Sequence, residues 1–142
     1  MNLQEILSEW DQDCIIDKTK LKEESLRSER LHSKYLRELV NANMMLEKKK
    51  TEYNKIILEK YIFYTEGAKS IKDIHKAPRG AVLKSEAEKY IQADDDIITI
   101  TLELALIQEK CNTLKAIILA ISKRSFNITN AINFDKFMAG ES

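Results

Sequence analysis

Glycine and proline are nearly missing from this chain: 142 residues hold three glycines and one proline. None of them falls between Asp17 and Tyr64, or between Val82 and Arg124. Chains without these breakers do not turn often, so a turn-rich architecture is excluded and one soluble, mostly α-helical unit is predicted. The only cysteines, Cys14 and Cys111, show no CxxC spacing, which argues against a disulfide framework or a thiolate metal site. Reduced, structural thiols fit the cytosol. His32 and His75 lie far apart without a Cys or His neighbour, so zinc is not expected. The longest strictly apolar helical run, Ala116 to Ile121, is far short of the roughly 20 residues that span a bilayer. No basic segment precedes the first apolar residues, so a signal peptide is not expected.

Net charge is also lacking, but the zero hides an asymmetry. Residues 1–17 hold five acids and no base, for −5, and residues 18–47 hold seven bases and five acids, for +2. Residues 48–89 hold eleven bases and six acids, for +5, and residues 90–142 hold five bases and seven acids, for −2. The positive charge is therefore gathered in the middle. The acidic N-terminal arm could meet a basic partner or fold back on the lysine-rich middle.

What is present is helix. Asp17 to Tyr64 is dominated by Leu, Lys, Glu, Arg, Met and Ala, the residues that lose least on entering a helix. At 1.5 Å per residue it would run roughly 70 Å. Leu21, Leu31, Tyr35, Leu39, Ala42, Met45 or Leu46, Tyr53, Ile56 and Phe63 recur near the coiled-coil step, with Ser25, Ser28 and His32 interrupting the seam. Before it, Leu3, Ile6, Leu7 and Trp10 mark a short amphipathic helix, and Asp17 is the expected N-cap of the long one. A second long helix is predicted over 83–124, with an apolar face of Leu83, Ala87, Tyr90, Ile97, Thr101, Leu104, Cys111, Leu114, Ile118 and Ile121. Ile98 to Leu106 alternates with period two and would suit a strand, but its flanks are helical. The expected fold is all-α: a long antiparallel helical hairpin with short N- and C-terminal helices, in one domain. Its parts are an arm over 1–16, a helix over 17–64, a basic connection over 65–82, a helix over 83–124 and a C-terminal helix over 125–142. Phe126, Ile128, Ala131, Ile132, Phe134, Phe137 and Met138 make that last helix too apolar to stand in water, so self-association into a ring-like homo-oligomer is its expected use.

No catalytic constellation emerges, and no cofactor is predicted. Gly67-Ala-Lys69-Ser70 is similar to the end of a phosphate-binding loop, but Lys does not follow Gly directly and the nest is missing. Asp94-Asp95-Asp96 points in several directions around a helix and reads as a solvated face or a helix irregularity rather than a magnesium site. Lys48-Lys49-Lys50 likewise spreads around the circumference. The connection is more informative, because Lys69, Lys72, Lys76 and Arg79, flanked by Lys60 and Lys84, form a basic tip edged by Tyr61, Phe63 and Tyr64. Cationic side chains neutralise phosphates while aromatic faces stack on unpaired bases, a combination that favours single strands over duplex. The candidate DNA-binding residues are Lys60, Tyr61, Tyr64, Lys69, Lys72, Lys76, Arg79 and Lys84, with Lys123-Arg124 as another position for the site. A ring of six or seven protomers, each neutralising about two phosphates, would touch about twelve to fourteen and bind by avidity.

In order along the chain, Ile16-Asp17-Lys-Thr19-Lys20-Leu21, Ser33-Lys34-Tyr35-Leu36, Leu58 through Tyr64 with Gly67, Ala93-Asp94, Arg124-Ser-Phe126-Asn-Ile128 and Phe137-Met-Ala139-Gly140 resemble the UvsY recombination mediator family of T4-type phages. The resemblance implies a non-enzymatic hexamer or heptamer, assembled through its C-terminal helix, that binds single-stranded DNA. It further implies loading of a RecA-like recombinase onto DNA covered by single-strand DNA-binding protein, without ATP use, in recombination, repair and recombination-dependent replication. Both proteins are then partners, and the setting is the cytoplasm of an infected bacterial host. One departure stands out: the family prototype has basic, DNA-contacting residues where Glu59 and Tyr61 stand here, which shifts the basic role to Lys60 and the connection. The competing class is a coiled-coil scaffold or prefoldin-like chaperone oligomer without a nucleic-acid role, although 65–82 lacks the alternation that prefoldin's β-hairpins need.

Overall fold

The computed structural model describes residues 1–66 and 85–140 and holds four helices among them: α1 (Leu3–Asp13), α2 (Leu21–Glu66), α3 (Ala87–Ala93) and α4 (Asp95–Met138). No strand occurs among the described residues, and the alternating Ile98–Leu106 stretch is helical. The fold is all-α, and it divides into two compact units, Met1–Asn43 with Gln108–Ser142, and Met44–Ile107.

Three boundaries differ from the sequence expectation. Asp17 does not cap α2, because its carboxylate accepts the N–H of Thr19 at 2.9 Å and the Thr19 hydroxyl at 2.6 Å, closing a turn. An Asx side chain used two residues on cannot also reach the first helical turn, so α2 opens only at Leu21. The second arm is not one helix from 83 onward. It breaks at Asp94, whose φ of −70° and ψ of 131° are extended, so the aspartate triplet is a helix irregularity. And among the described residues the expected helix of 125–142 is not separate: α4 runs unbroken through Arg124, Ser125 and Phe126 to Met138. The composition changes there, but nothing in the backbone chemistry does, since no Gly or Pro intervenes. α4 stops where Gly140 takes a φ of 76° and donates its N–H to the Phe137 carbonyl at 3.1 Å.

In the unit of 1–43 and 108–142, α1 opens on a capping box in which Asn2 and Glu5 exchange hydrogen bonds of 2.9 Å. Its Ile6 is fully buried, and its Trp10 meets Tyr35 of α2 edge to face at 5.6 Å. The acidic arm folds back on its own chain, upstream of the lysine triplet. The Lys34 ammonium pairs with Glu9 at 2.6 Å and Asp13 at 2.7 Å, Arg27 reaches Asp13 at 3.3 Å, and the Tyr35 hydroxyl donates to Asp13 at 2.8 Å. Leu31, Tyr35, Ala42, Cys111, Leu114, Ile117, Ile121 and Ile128 fill the core between α2 and α4.

The interruption of the α2 seam at Ser28 has a physical reason. Ser28 and Arg124 are both buried, and the small serine leaves room for the guanidinium. Arg124 Nη1 donates to Ser28 Oγ at 2.7 Å and to the Glu24 carbonyl at 3.2 Å, while Nη2 pairs with the Glu24 carboxylate. These contacts fix the antiparallel register of α2 and α4 within this unit.

Candidate nucleic-acid interface

In the unit of 44–107, the end of α2 packs antiparallel against α3 and the start of α4. The Lys49 ammonium reaches Glu103 at 3.0 Å, and Lys60, eleven residues further along α2, reaches Asp96 at 2.8 Å. Leu46, Phe63, Ala87, Ile91, Ile97 and Ile100 are buried beneath them.

Asp94 organises the site. As the residue before α4 it caps that helix: its Oδ1 accepts the N–H of Asp96 at 2.9 Å, and its carbonyl accepts the N–H of Ile98 at 2.9 Å. Its other oxygen, Oδ2, accepts the Tyr64 hydroxyl at 2.7 Å and lies 3.3 Å from the Lys60 ammonium. One carboxylate thus ties the start of α4 to the last two turns of α2. Burial works to raise the Asp94 pKa, but the Tyr64 hydroxyl, the Lys60 ammonium and the Asp96 N–H outweigh it and hold the carboxyl below its ordinary value. Burial would lower the Lys60 pKa, yet Asp96 and Asp94 raise it, so the ammonium stays charged. Burial, and then the bond to Asp94, push the Tyr64 phenol up to about 12.

The aromatic residues here form a joined group: the Tyr64 ring lies 5.0 Å from Phe63 and 5.7 Å from Tyr90, and the Lys60 ammonium sits 5.7 Å from the Phe63 ring. Phe63 is core, Tyr64 is half-buried, and Tyr61 presents itself to solvent. Beside Lys60 runs a groove of about 470 Å³ lined by Glu52, Ile56, Glu59, Phe63, Asp96 and Glu103 among others. Lys49 is held there by Glu52 and Glu103, both at 3.0 Å. Four carboxylates against two ion-paired lysines leave this groove net negative while those pairs hold.

Of the eight sequence-predicted DNA-binding residues, the structure brings Lys60, Tyr61 and Tyr64 into adjacent turns at the end of α2. Lys69, Lys72, Lys76, Arg79 and Lys84 lie outside the described residues. Lys123 is exposed, but Arg124 is only 4% exposed and faces the core, which removes it as a phosphate contact. Among the predicted oligomerisation residues, Ile128 is buried in its own unit and Ala131 and Ile132 are half-buried, whereas Phe126, Phe134, Phe137 and Met138 are exposed. Sequence reasoning missed that Asp94 and Asp96 are the partners of Lys60 and Tyr64. The available signal was Asp94 as an N-cap ahead of the Ile97–Leu106 run. Among the described residues no cluster of His, Cys, Asp and Glu is arranged to hold a metal ion, and no helix is long and apolar enough to cross a membrane.

Long helices paired antiparallel within each unit, with cationic and aromatic side chains drawn together at the end of α2, define an all-α protein without strand-borne machinery among the described residues. A family model described as "Recombination, repair and ssDNA binding protein UvsY" matches residues 9–141, and the chain belongs to that family. Three crystal forms of the bacteriophage T4 recombination mediator protein UvsY share the fold. Lattice type IV superposes with a TM-score of 0.81 at 20% identity, covering 97% of this chain and 99% of that one. Lattice type II gives 0.81 at 23% identity over 98% of both chains, and type I gives 0.78 at 22% over 94% and 98%. At these identities the likeness is one of fold. No curated protein matches the chain.

Proposed function

We propose that this chain is a recombination mediator that binds single-stranded DNA as a homo-oligomer and loads a RecA-like recombinase onto strands covered by single-strand DNA-binding protein. It acts without catalysis of its own, in the host cytoplasm. The observation that carries the reading is the match of residues 9–141 to a family of recombination, repair and ssDNA-binding proteins. The concentration of positive charge in residues 48–89 supports it.

In this reading, Lys69, Lys72, Lys76, Arg79 and Lys84 neutralise most of the phosphates, and Lys60 is engaged by Asp94 and Asp96 in the free chain. Tyr61, exposed beside them in sequence, stacks on an unpaired base, and Tyr64 supports it from the half-buried side. Exposed Phe126, Phe134, Phe137 and Met138 join subunits as a hexamer or heptamer, and several weak sites then hold one strand together. A strand drawn around such an assembly is a poorer track for single-strand DNA-binding protein, which leaves it open to the recombinase.

The test is a titration of a labelled oligonucleotide, single-stranded against duplex, at two salt concentrations. Single-strand preference with affinity falling steeply in salt is the expected result. Replacing Lys69, Lys72, Lys76 and Arg79 together by Ala should weaken binding and flatten the salt dependence, with the assembly intact by sedimentation. Unchanged binding would place the phosphate contacts elsewhere.

A further inference from the structure

We infer that Asp96 is a built-in competitor of DNA phosphate for Lys60, so that the free protein holds one of its binding cations in check and releases it only to a nucleic-acid strand. The inference rests on the proposed single-strand binding. Its ground is the unequal standing of the two carboxylates that hold the ammonium. Asp94 is almost inaccessible, its side chain 9% exposed, and it is committed to Tyr64 and to the cap of α4. The Asp96 side chain is 58% exposed, and among the described residues its only side-chain partner is Lys60, at 2.8 Å.

An exposed carboxylate that surrenders its cation is simply rehydrated, so Asp96 can let go cheaply where Asp94 cannot. A phosphate offers the same anionic oxygens to the same ammonium. The Lys60 side chain is 12% exposed and its ammonium sits 5.7 Å from the Phe63 ring, and lysine's flexible four-carbon stem lets that ammonium turn from the ring and from Asp96 toward solvent. Tyr61, the next residue of α2, is open to solvent and offers an aromatic face for an unpaired base within the same helical turn. Glu59, on the other side of Lys60 in sequence, lines the same groove as Asp96 and disfavours a phosphate that approaches from there. The contact therefore tunes affinity downward in the resting protein. A mediator that must hand its strand on is served by that.

Asp95 supplies the control. It is the neighbouring residue in the first turn of α4, exposed, and without an ion pair or side-chain hydrogen bond among the described residues. Asp95→Asn and Asp96→Asn change net charge and helix-end charge alike, and only the second takes an ion-pair partner from Lys60, leaving it Asp94 alone. In fluorescence anisotropy with the full chain and a labelled oligothymidylate, Asp96→Asn should tighten binding about two- to fivefold. It should also steepen the slope of log affinity against log salt by about 0.7 per engaged protomer. Asp95→Asn should change affinity less than about twofold, and Asp96→Glu should behave as the parent. In a Lys60→Ala background the gain from Asp96→Asn should vanish, with the helical circular dichroism signal unchanged throughout.

Equal gains from the two asparagine variants would reduce the effect to overall charge and overturn the inference. So would no gain, or a gain that survives Lys60→Ala. Parent and Asp96→Asn both indifferent to the strand would sink the proposed function and this inference together. Binding that appears only on Asp96→Asn would establish the competition.

Discussion

Replacing Arg124 asks how much of the first unit rests on one buried guanidinium. It is 4% exposed, donates at 2.7 Å to Ser28 and 3.2 Å to the Glu24 carbonyl, and pairs with the Glu24 carboxylate. Each hydrogen bond from a charged donor contributes about 1.5–3 kcal/mol net. Against that stands Nε, buried without a hydrogen-bond partner among the described residues, and the desolvation of the whole group. Arg124→Ala also removes the packed stem and leaves the Glu24 carboxylate with Arg27, at 3.3 Å, as its remaining cation. Breaking a buried pair costs about 3–5 kcal/mol, and the presence of Arg27 sets the expectation at the lower end, about 3 kcal/mol. Arg124→Met fills the space and should cost about half of that. Glu24→Gln should add little in the Met background, because the pair is already gone. Urea unfolding followed by helical circular dichroism, at one fixed protein concentration, reads all of these. A loss below about 1 kcal/mol for Arg124→Ala, or a Glu24→Gln cost independent of residue 124, would refute the assignment.

Two further outcomes follow from the other contacts. Asp94 has a depressed pKa, so its contribution is present above the ordinary value of 3.8 and disappears as pH falls through the lower folded value. Asp94→Asn should therefore be destabilised by about 1 kcal/mol near pH 7, with the gap narrowing as pH falls below 3.8, as thermal melts across that range will tell. A gap of the same size in acid would mean that the charge is not what stabilises. For assembly, Phe134 and Phe137 are 62% and 77% exposed, so changing both to Ser should leave helix content intact while sedimentation shows smaller species with weaker strand binding. Point changes are the cleaner test, since deleting 127–142 would also strip Ile128 from the core.

Much of the helical fold could be read from residue order, because the long helices are written in what is missing and in a regular apolar step. Leu31, Tyr35, Ala42, Leu46 and Phe63 are buried as the period demands, and the strand-like Ile98–Leu106 run yields to its neighbours, with Ile97 and Ile100 turned inward on helical spacing. The errors cluster where one side chain chooses between two local bonds. Asp17 and Asp94 are both plausible caps by type. Asp17 is captured by Thr19 two residues on, while Asp94 is left to cap α4, and only tertiary context decides which. The C-terminal boundary is illegible for a different reason: a helix can change what it exposes without changing its backbone, and α4 carries buried residues and bare aromatics on one uninterrupted helix.

The candidate site was harder, because cations can be counted along a chain but their partners cannot. Lys60 adds to the +5 of residues 48–89, while Asp94 and Asp96, which neutralise it, are counted in the −2 of residues 90–142. Segment sums therefore assign to the middle a charge that the folded unit has already spent. The same holds at the other end, where the −5 of residues 1–17 is partly matched by Arg27 and Lys34 in the next segment. An antiparallel pairing always brings together residues that a running tally separates. The positive charge that the described residues leave free to act on a strand is then smaller than the sequence suggests. A lysine held by an exposed acid still belongs to that reserve, whereas an arginine sealed in the core does not. Lys60 and Arg124 look alike in sequence. Of the two carboxylates on Lys60, one is sheltered (9% exposed at Asp94) and one open to solvent (58% at Asp96), whereas the Glu24 carboxylate on Arg124 is 13% exposed. In the inferred competition with phosphate, that open carboxylate is what lets Lys60 change partners.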